Sequence, residues 1–287
     1  MSPLLLLLFA CSGKDEEIPT STDLTLTVWS VEEALTGYVD NEFVDGFDVT
    51  IEHWITTFSD VSVGDQGTGE TLYMVDWAQL EEPYELGTFQ LGSGTHAVGL
   101  KTVNAVAGTE DLTEIDEDIR AQMIDRRLTH WIQGYAEGYS EVFTFAWGLQ
   151  NPAYHENCAD GSLEEEAETP GIAITEEEVE EQTSKSAEIN FHLDHIFYDA
   201  MDTEVADMRF EVFYEWRDVN TNEVPWDDLA ECISAGLTDR RDKAIEDENG
   251  HQLSYSNAGL PLTEYLMYNV ESMVHLNGQG ICEHDNL

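Results

Sequence analysis

The chain has 287 residues, with 60 acidic against 11 basic side chains and a formal net charge of −49. A field of that sign repels phosphate backbones and anionic headgroups, which argues against nucleic-acid partners, and it gathers cations without selecting among them. A hydrophobic share of 41%, with 7 Trp, 11 Tyr and 11 Phe, is ample for a packed core and excludes disorder throughout. Self-repulsion of such a surface is largely screened at high ionic strength, so the bulk of the charge reads as an adaptation to salt-rich water.

The first segment, Met1 to Ala10, carries the apolar run Leu4 to Phe9 and ends on a small residue before Cys11. It is too short to span a bilayer and has the form of a secretory signal. Leu8-Phe9-Ala10-Cys11 resembles the lipobox of bacterial lipoproteins, although no Lys or Arg precedes the apolar run and Phe9 is bulkier than usual there. The resemblance implies cleavage before Cys11 and acylation of its thiol and freed amine, and two or more acyl chains give stable anchoring. Residues 1–10 are therefore expected to be a signal peptide and 11–22 a tether. Ser12, rather than Asp, beside the acylated cysteine implies by the same resemblance the outer membrane or cell surface, facing the periplasm or the exterior. The membrane is the partner this implies; no protein partner is legible.

Strand patterns follow. Leu24 to Val28 and Phe47 to Ile55 alternate apolar and polar residues, the second after the turn signal Asp45-Gly46. Thr71 to Trp77, Tyr84 to Leu91 and Thr95 to Val106 continue the series between Gly, Pro and acidic residues. Ile115, Ile119, Met123 and Ile124 then fall near helical spacing, which predicts a short helix around 113–127, capped by Thr113 with Asp116. Thr129 to Ala136 and Glu141 to Leu149 read as a hairpin around Glu137-Gly138-Tyr139-Ser140. The expected architecture is mainly β: an antiparallel β-sandwich over 23–200, with a solvated acidic excursion at 163–181. A helical region of EF-hand-like form over 201–287 is expected to pack on it.

With Cys11 acylated, Cys158, Cys232 and Cys282 leave room for at most one intrachain disulfide, and three pairings are possible. Cys158 with Cys282 is the favoured pair, because both sit in irregular Gly- and Asn-rich segments whereas Cys232 lies in an apparent amphipathic helix.

Chemistry concentrates in Ile189-Asn-Phe-His192-Leu-Asp194-His195-Ile-Phe-Tyr-Asp199. In a strand, His192 and Asp194 share one face and His195 points away. A turn beginning at Asp194, a good N-cap residue, would swing His195 round to join them. Two imidazoles and a carboxylate at this spacing form half a shell for Zn, Cu(II), Fe or Ni; the plain alternative is two ordinary histidines flanking a capping Asp. Downstream, Glu204 to Trp216 shows a helix-like apolar face, followed by Asp218, Asn220, Asn222 and Asp228 and then Leu229 to Ile233. That order resembles an EF-hand. Glu223 stands where the turn demands Gly, the loop is one residue short, and Asp228 replaces the bidentate Glu, so the loop reads as degenerate and calcium is at most a secondary candidate. Near the end, Gly278 and Gly280 permit a tight backbone path that could bring His275 beside another segment.

Together, Trp147-Gly148 with Tyr154-x-x-x-Cys158, His192-x-Asp194-His195-x-Phe-x-Asp199, the EF-like loop and His275-x-x-Gly-x-Gly-x-Cys282 resemble a group of poorly characterised bacterial secreted lipoproteins. That resemblance implies a secreted β-sandwich with a metal site and no assigned reaction. A more distant similarity is to the copper-binding periplasmic proteins of methanobactin systems, through Val75-Asp76-Trp77, Leu86 to Leu91 and Gly94-Thr95-His96-Ala97-Val98-Gly99; it implies copper. Asn190-Phe-His192-Leu-Asp194-His195 also approaches the H-x-H-x-D-H motif of metallo-β-lactamase-type hydrolases, with Asn190 in place of the first histidine. No nucleophile elbow, P-loop or dinucleotide fingerprint occurs. The expectation is a lipid-anchored protein binding one transition-metal ion, zinc or copper, through His192, Asp194, His195 and a closing His275, in a binding or structural role. A metal-dependent hydrolase and a metal-free surface interaction protein are the alternatives.

Overall fold

A computed structural model describes residues 20–39, 42–162, 170–200, 206–246, 250–255 and 259–286. The signal segment, Cys11 and most of the tether lie outside the described residues, as do 163–169 and 201–205. Strand accounts for 42% and helix for 19% of the structure, which makes it mainly β as expected. Among the described residues no helix is long and apolar enough to cross a membrane.

Two curled sheets carry the fold. The five-stranded one runs Gly280–Ile281, Val274–Leu276, Lys185–Phe191, Thr22–Ser30, Tyr84–Leu91. The ten-stranded one runs Glu223–Val224, Glu141–Leu149, His130–Gly138, Asp48–Val63, Val98–Thr102, Ala153–Glu156, Glu283–Asn286. Gln66–Gly67, Tyr73–Asp76 and Glu110–Asp111 attach at its side. The sheets are mixed rather than purely antiparallel: Thr22–Ser30 pairs parallel with Lys185–Phe191, and Glu223–Val224 parallel with Glu141–Leu149. Parallel pairing needs a long crossover, and here the first strand meets one more than 150 residues later (Leu24 opposite Lys185), so no local pattern announces it. Strands from the last part of the chain complete both sheets, Val274–Leu276 on Lys185–Phe191 and Glu283–Asn286 on Ala153–Glu156.

One apolar cluster joins the two sheets. Leu24, Leu26 and Val28 alternate inward from one, and Trp54, Phe58, Val61 and Val63 from the other. Between them Trp77 stacks on Phe191 with centroids 4.3 Å apart, and Phe58 lies 6.0 Å from Phe191. Leu262, Tyr265 and Leu266 of the helix Leu262–Glu271 belong to the same cluster, which extends the core through the C-terminal part.

Local readings were met in part. The hairpin forms at His130–Gly138 and Glu141–Leu149, and its loop residues Tyr139 and Ser140 both have positive φ, 50° and 66°, the backbone hand that matches strand twist. The predicted helix is Glu117–Arg126, but its cap is Asp116, whose carboxylate accepts from the Asp118 and Ile119 amides. Thr113 instead accepts from the Asp76 amide, so its hydroxyl is spent on a neighbouring strand. The described part of the acidic excursion is more than a solvated loop: Ile172–Ile174 pairs with Gly94–His96, and Glu176–Glu181 is a helix closed by a Thr175–Glu178 capping box. Cys158 and Cys282 are joined by a disulfide, as favoured from sequence. Cys232 is free and buried, and it lies beyond the end of the short helix Trp226–Leu229 rather than within a longer one.

Candidate metal centre

The strand Lys185–Phe191 ends where the chain tightens into a 3-10 turn, Leu193–Phe197, with His192 at its N-terminal boundary. The turn therefore starts before Asp194, which is not its cap; the Asp194 carboxylate accepts a short hydrogen bond from the Tyr198 hydroxyl instead. Tightening of the backbone has the expected consequence for His195. Ligand atoms of His192, Asp194 and His195 all lie within 4.8 Å of one another, and among the described residues no other group of His, Cys, Asp and Glu does so.

His275 arrives from the facing strand, where its register partner is Asn190. Its ring centroid stands 4.3 Å from that of His192 and 5.1 Å from that of His195, so three imidazoles pack together, but His275 is not in the group whose ligand atoms all lie within 4.8 Å of one another. Gly278, at φ 91°, lets the hairpin turn back so that its carbonyl faces His192.

Hydrogen bonding fixes which nitrogens are free. The Gly278 carbonyl can only accept, so His192 carries its proton on Nε2, 2.9 Å away, and presents the Nδ1 lone pair 4.0 Å from Asp194 Oδ1. Ser272 Oγ donates to the Asn269 carbonyl at 2.9 Å, which leaves it an acceptor for His195 Nδ1–H at 3.0 Å. His195 Nε2 then holds the lone pair. An outer partner that fixes the tautomer and ring plane is the arrangement metal-ligating histidines use. Asp194 Oδ1 and both ring nitrogens of His275 are buried without a hydrogen-bond partner. An unpartnered buried polar atom costs about 1–3 kcal/mol; a cation beside the two oriented lone pairs would satisfy Asp194 Oδ1 and the one His275 nitrogen that carries a lone pair, the other being an N–H donor.

Electrostatics agree. Burial, together with the neighbouring His192, brings His195 down to about 3, and burial with His192 and His195 does the same to His275. Both rings are therefore neutral at physiological pH, as ligands must be. His195 and His275 are 2% and 3% exposed, whereas the His192 and Asp194 side chains retain 12% and 17%, so access to the centre is from their side.

Sequence reasoning missed the supporting groups: Tyr198, Ser272 and the Gly278 carbonyl. Tyr198 sits four residues from Asp194 and was within reach of a local reading. Ser272 and Gly278 are brought in by tertiary folding alone.

The EF-like loop has a different use. Asp218 Oδ1 accepts from the Asn220 amide at 2.8 Å and from its side chain at 3.0 Å, and Asp228 is paired with Arg240. Asn222, at φ 56°, turns the chain so that its carbonyl accepts from the Thr144 amide. The flanking helices, Glu211–Glu215 and Trp226–Leu229, are single turns. Asp218 and Asp228 thus spend their carboxylates on Asn220 and on an arginine, and among the described residues neither belongs to a convergent group of His, Cys, Asp and Glu. Comparison of the chain with protein-family models, with curated proteins and with solved structures gave no match.

Proposed function

We propose that this protein is a lipid-anchored, extracytoplasmic metal-binding protein that holds one transition-metal ion through His192 Nδ1, Asp194 and His195 Nε2, with His275 closing the site. The observation that carries the reading is the set of partnerless buried atoms, Asp194 Oδ1 and the two nitrogens of His275, beside two imidazoles whose tautomers are already set. An imidazole-rich set with one carboxylate suits zinc or copper, and its nitrogen content disfavours calcium and magnesium. Deep burial of His195 and His275 supports a binding or structural role over turnover, since catalytic ions keep an accessible coordination position. The anchor rests on Leu8-Phe9-Ala10-Cys11 and places the ion outside the cytoplasm.

The test is metal content per chain after exhaustive washing at high salt and neutral pH, where loosely held ions on the acidic surface are screened away. One retained zinc or copper ion per chain is expected, and the double substitution His192→Ala with His195→Ala should remove it while the far-ultraviolet circular dichroism is unchanged. No retained ion in the parent protein, or undiminished retention in the double variant, overturns the assignment.

A further inference from the structure

We infer that the Cys158–Cys282 disulfide is a positioning element of the metal centre, so that tight metal binding follows disulfide formation. The inference rests on the metal reading above and adds to it a dependence on redox state.

The hairpin Val274–Leu276 and Gly280–Ile281 is held from two sides. This hairpin supplies two parts of the centre, the His275 ring and the Gly278 carbonyl that fixes the His192 tautomer. On one side it is held by the strand that carries His192: the Asn277 amide donates to the Glu188 carbonyl at 2.7 Å, and the Gly278 amide to Asn190 Oδ1 at 2.7 Å. On the other side it is held by a strap, residues 158–162. The Ala159 amide donates to the Ile281 carbonyl at 3.0 Å, the Gly161 amide to the Leu276 carbonyl at 3.1 Å, and Asn277 Nδ2 to Asp160 Oδ1 at 2.8 Å.

The strap crosses the hairpin backbone on backbone. A Cβ on Gly280 would overlap the Ala159 carbonyl, and one on Gly161 would overlap the Gly280 amide, so glycine is required at both positions. The disulfide then ties the start of the strap to the end of the hairpin across a sequence separation of 124. Every contact between strap and hairpin falls within this covalently closed crossing.

Forming the bond takes two electrons and two protons from the Cys158 and Cys282 thiols and passes them to an exchanging disulfide, which is reduced to two thiols. Until then the strap is held by non-covalent ties alone: its hydrogen bonds to the hairpin, the Cys158 amide to the Val98 carbonyl, the Gly171 amide to the Cys158 carbonyl, and the neighbouring pairing of Ala153–Glu156 with Glu283–Asn286. Tight coordination needs ligands held to within about 0.5 Å, and loss of an outer partner lowers metal affinity about 10–100-fold. A hairpin released by a fraction of an ångström would move His275 and the Gly278 carbonyl together, and both sides of the site would loosen at once. The reducing cytoplasm keeps thiols unpaired, so the order is export, oxidation, then metal loading.

Coupling of this kind is reciprocal. If the disulfide tightens metal binding by some factor, the bound ion makes the disulfide harder to reduce by the same factor.

The experiment uses zinc and the full mature chain. Affinity is measured by competition with a chromophoric chelator for the parent, for the double variant Cys158→Ser with Cys282→Ser, and for Asn277→Ala, which keeps the bond but cuts the strap contact to Asp160 together with the side-chain contact to the Glu188 amide. The double variant is expected to bind one zinc about 10–100-fold more weakly, and Asn277→Ala to fall between it and the parent. In a glutathione redox buffer, where two glutathione thiols are oxidised for each protein disulfide reduced, zinc should lower the reduction potential of the parent. A tenfold coupling corresponds to about 30 mV. Parental affinity in a folded double variant overturns the inference. So does a reduction midpoint indifferent to zinc, a measurement on the parent that decides the matter even if the double variant does not fold. A parent chain that binds no zinc removes the metal reading itself, an outcome read directly from stoichiometry.

Discussion

Acidification should weaken this fold between pH 6.5 and 5, and two histidines outside the metal centre set a part of the effect that can be isolated. His130 and His155 are each 1% exposed, inside the ten-stranded sheet. Burial brings both down to about 3, with the nearby charges of His284 and His130 adding to the effect on His155. In the unfolded chain each reverts to about 6.5. Within this window the unfolded state binds more protons than the folded one, so stability rises with pH and falls on acidification. At about 1.36 kcal/mol per pH unit, each ring costs about 2 kcal/mol by pH 5, or about 4 kcal/mol together. That is a large part of an ordinary folding stability of about 5–15 kcal/mol.

His195 and His275, brought down to about 3 as well, act in the same window and add to the loss in the metal-free chain, whereas His53 and four carboxylates act outside it. The hydrogen bond that the His53 ring donates to the Asp76 carboxylate raises His53; its contribution is complete below about pH 6.5 and is lost only as pH climbs through its raised value. Asp160, Glu178, Asp218 and Asp239 are held below the usual carboxylate range, and their contributions fade only as pH falls under about 4. Urea unfolding at half-unit steps in high salt, for the parent and for His130→Gln and His155→Gln, isolates the effect. Each variant should lose about 2 kcal/mol less than the parent on going from pH 6.5 to 5. Variant profiles running parallel to the parental one would refute the argument.

Substituting Ser272→Ala removes the acceptor that orients His195, and chelator competition should show metal affinity lowered about 10–100-fold at unchanged stoichiometry. Phe191→Ala opens a cavity under the stacked Trp77 where the two sheets meet, which should cost about 3–5 kcal/mol in denaturant unfolding; a loss under 1 kcal/mol would mean the contact is not part of a tight core. Replacing Cys11→Ser should move the protein from the membrane to the soluble fraction, with no acyl mass on its N-terminal peptide; membrane retention of the variant counts against the anchor.

What sequence determined by itself is whatever depends on near neighbours. Alternation gave the strand Tyr84–Leu91 at its observed limits, because the period of two expresses a single buried face. The hairpin at 130–149 was legible for the same reason, since its turn residues and both strands are contiguous. The disulfide could be favoured because only three cysteines followed the anchor and one lay in an apolar-periodic run. His192, Asp194 and His195 were visible as a group because four residues cannot separate far.

Tertiary structure decided the rest, through groups distant in sequence that compete for the same atom. Thr113 was the expected cap, with Asp116 as its partner; the Thr113 hydroxyl accepts from the Asp76 amide instead, and Asp116 itself caps the helix. Asp228 could have ligated calcium until Arg240 claimed it. The parallel pairing of Thr22–Ser30 with Lys185–Phe191 left no local trace, since the two strands are joined only by the folding of everything between them. Whether the turn after Phe191 begins at His192 or Asp194, and therefore where His195 points, was settled by the Met273 carbonyl accepting the His192 amide from the far end of the chain. His275 came to lie beside His192 and His195 in the same way: its neighbours are chosen by strand register, and register is fixed by the buried face of the whole sheet rather than by the residues beside it.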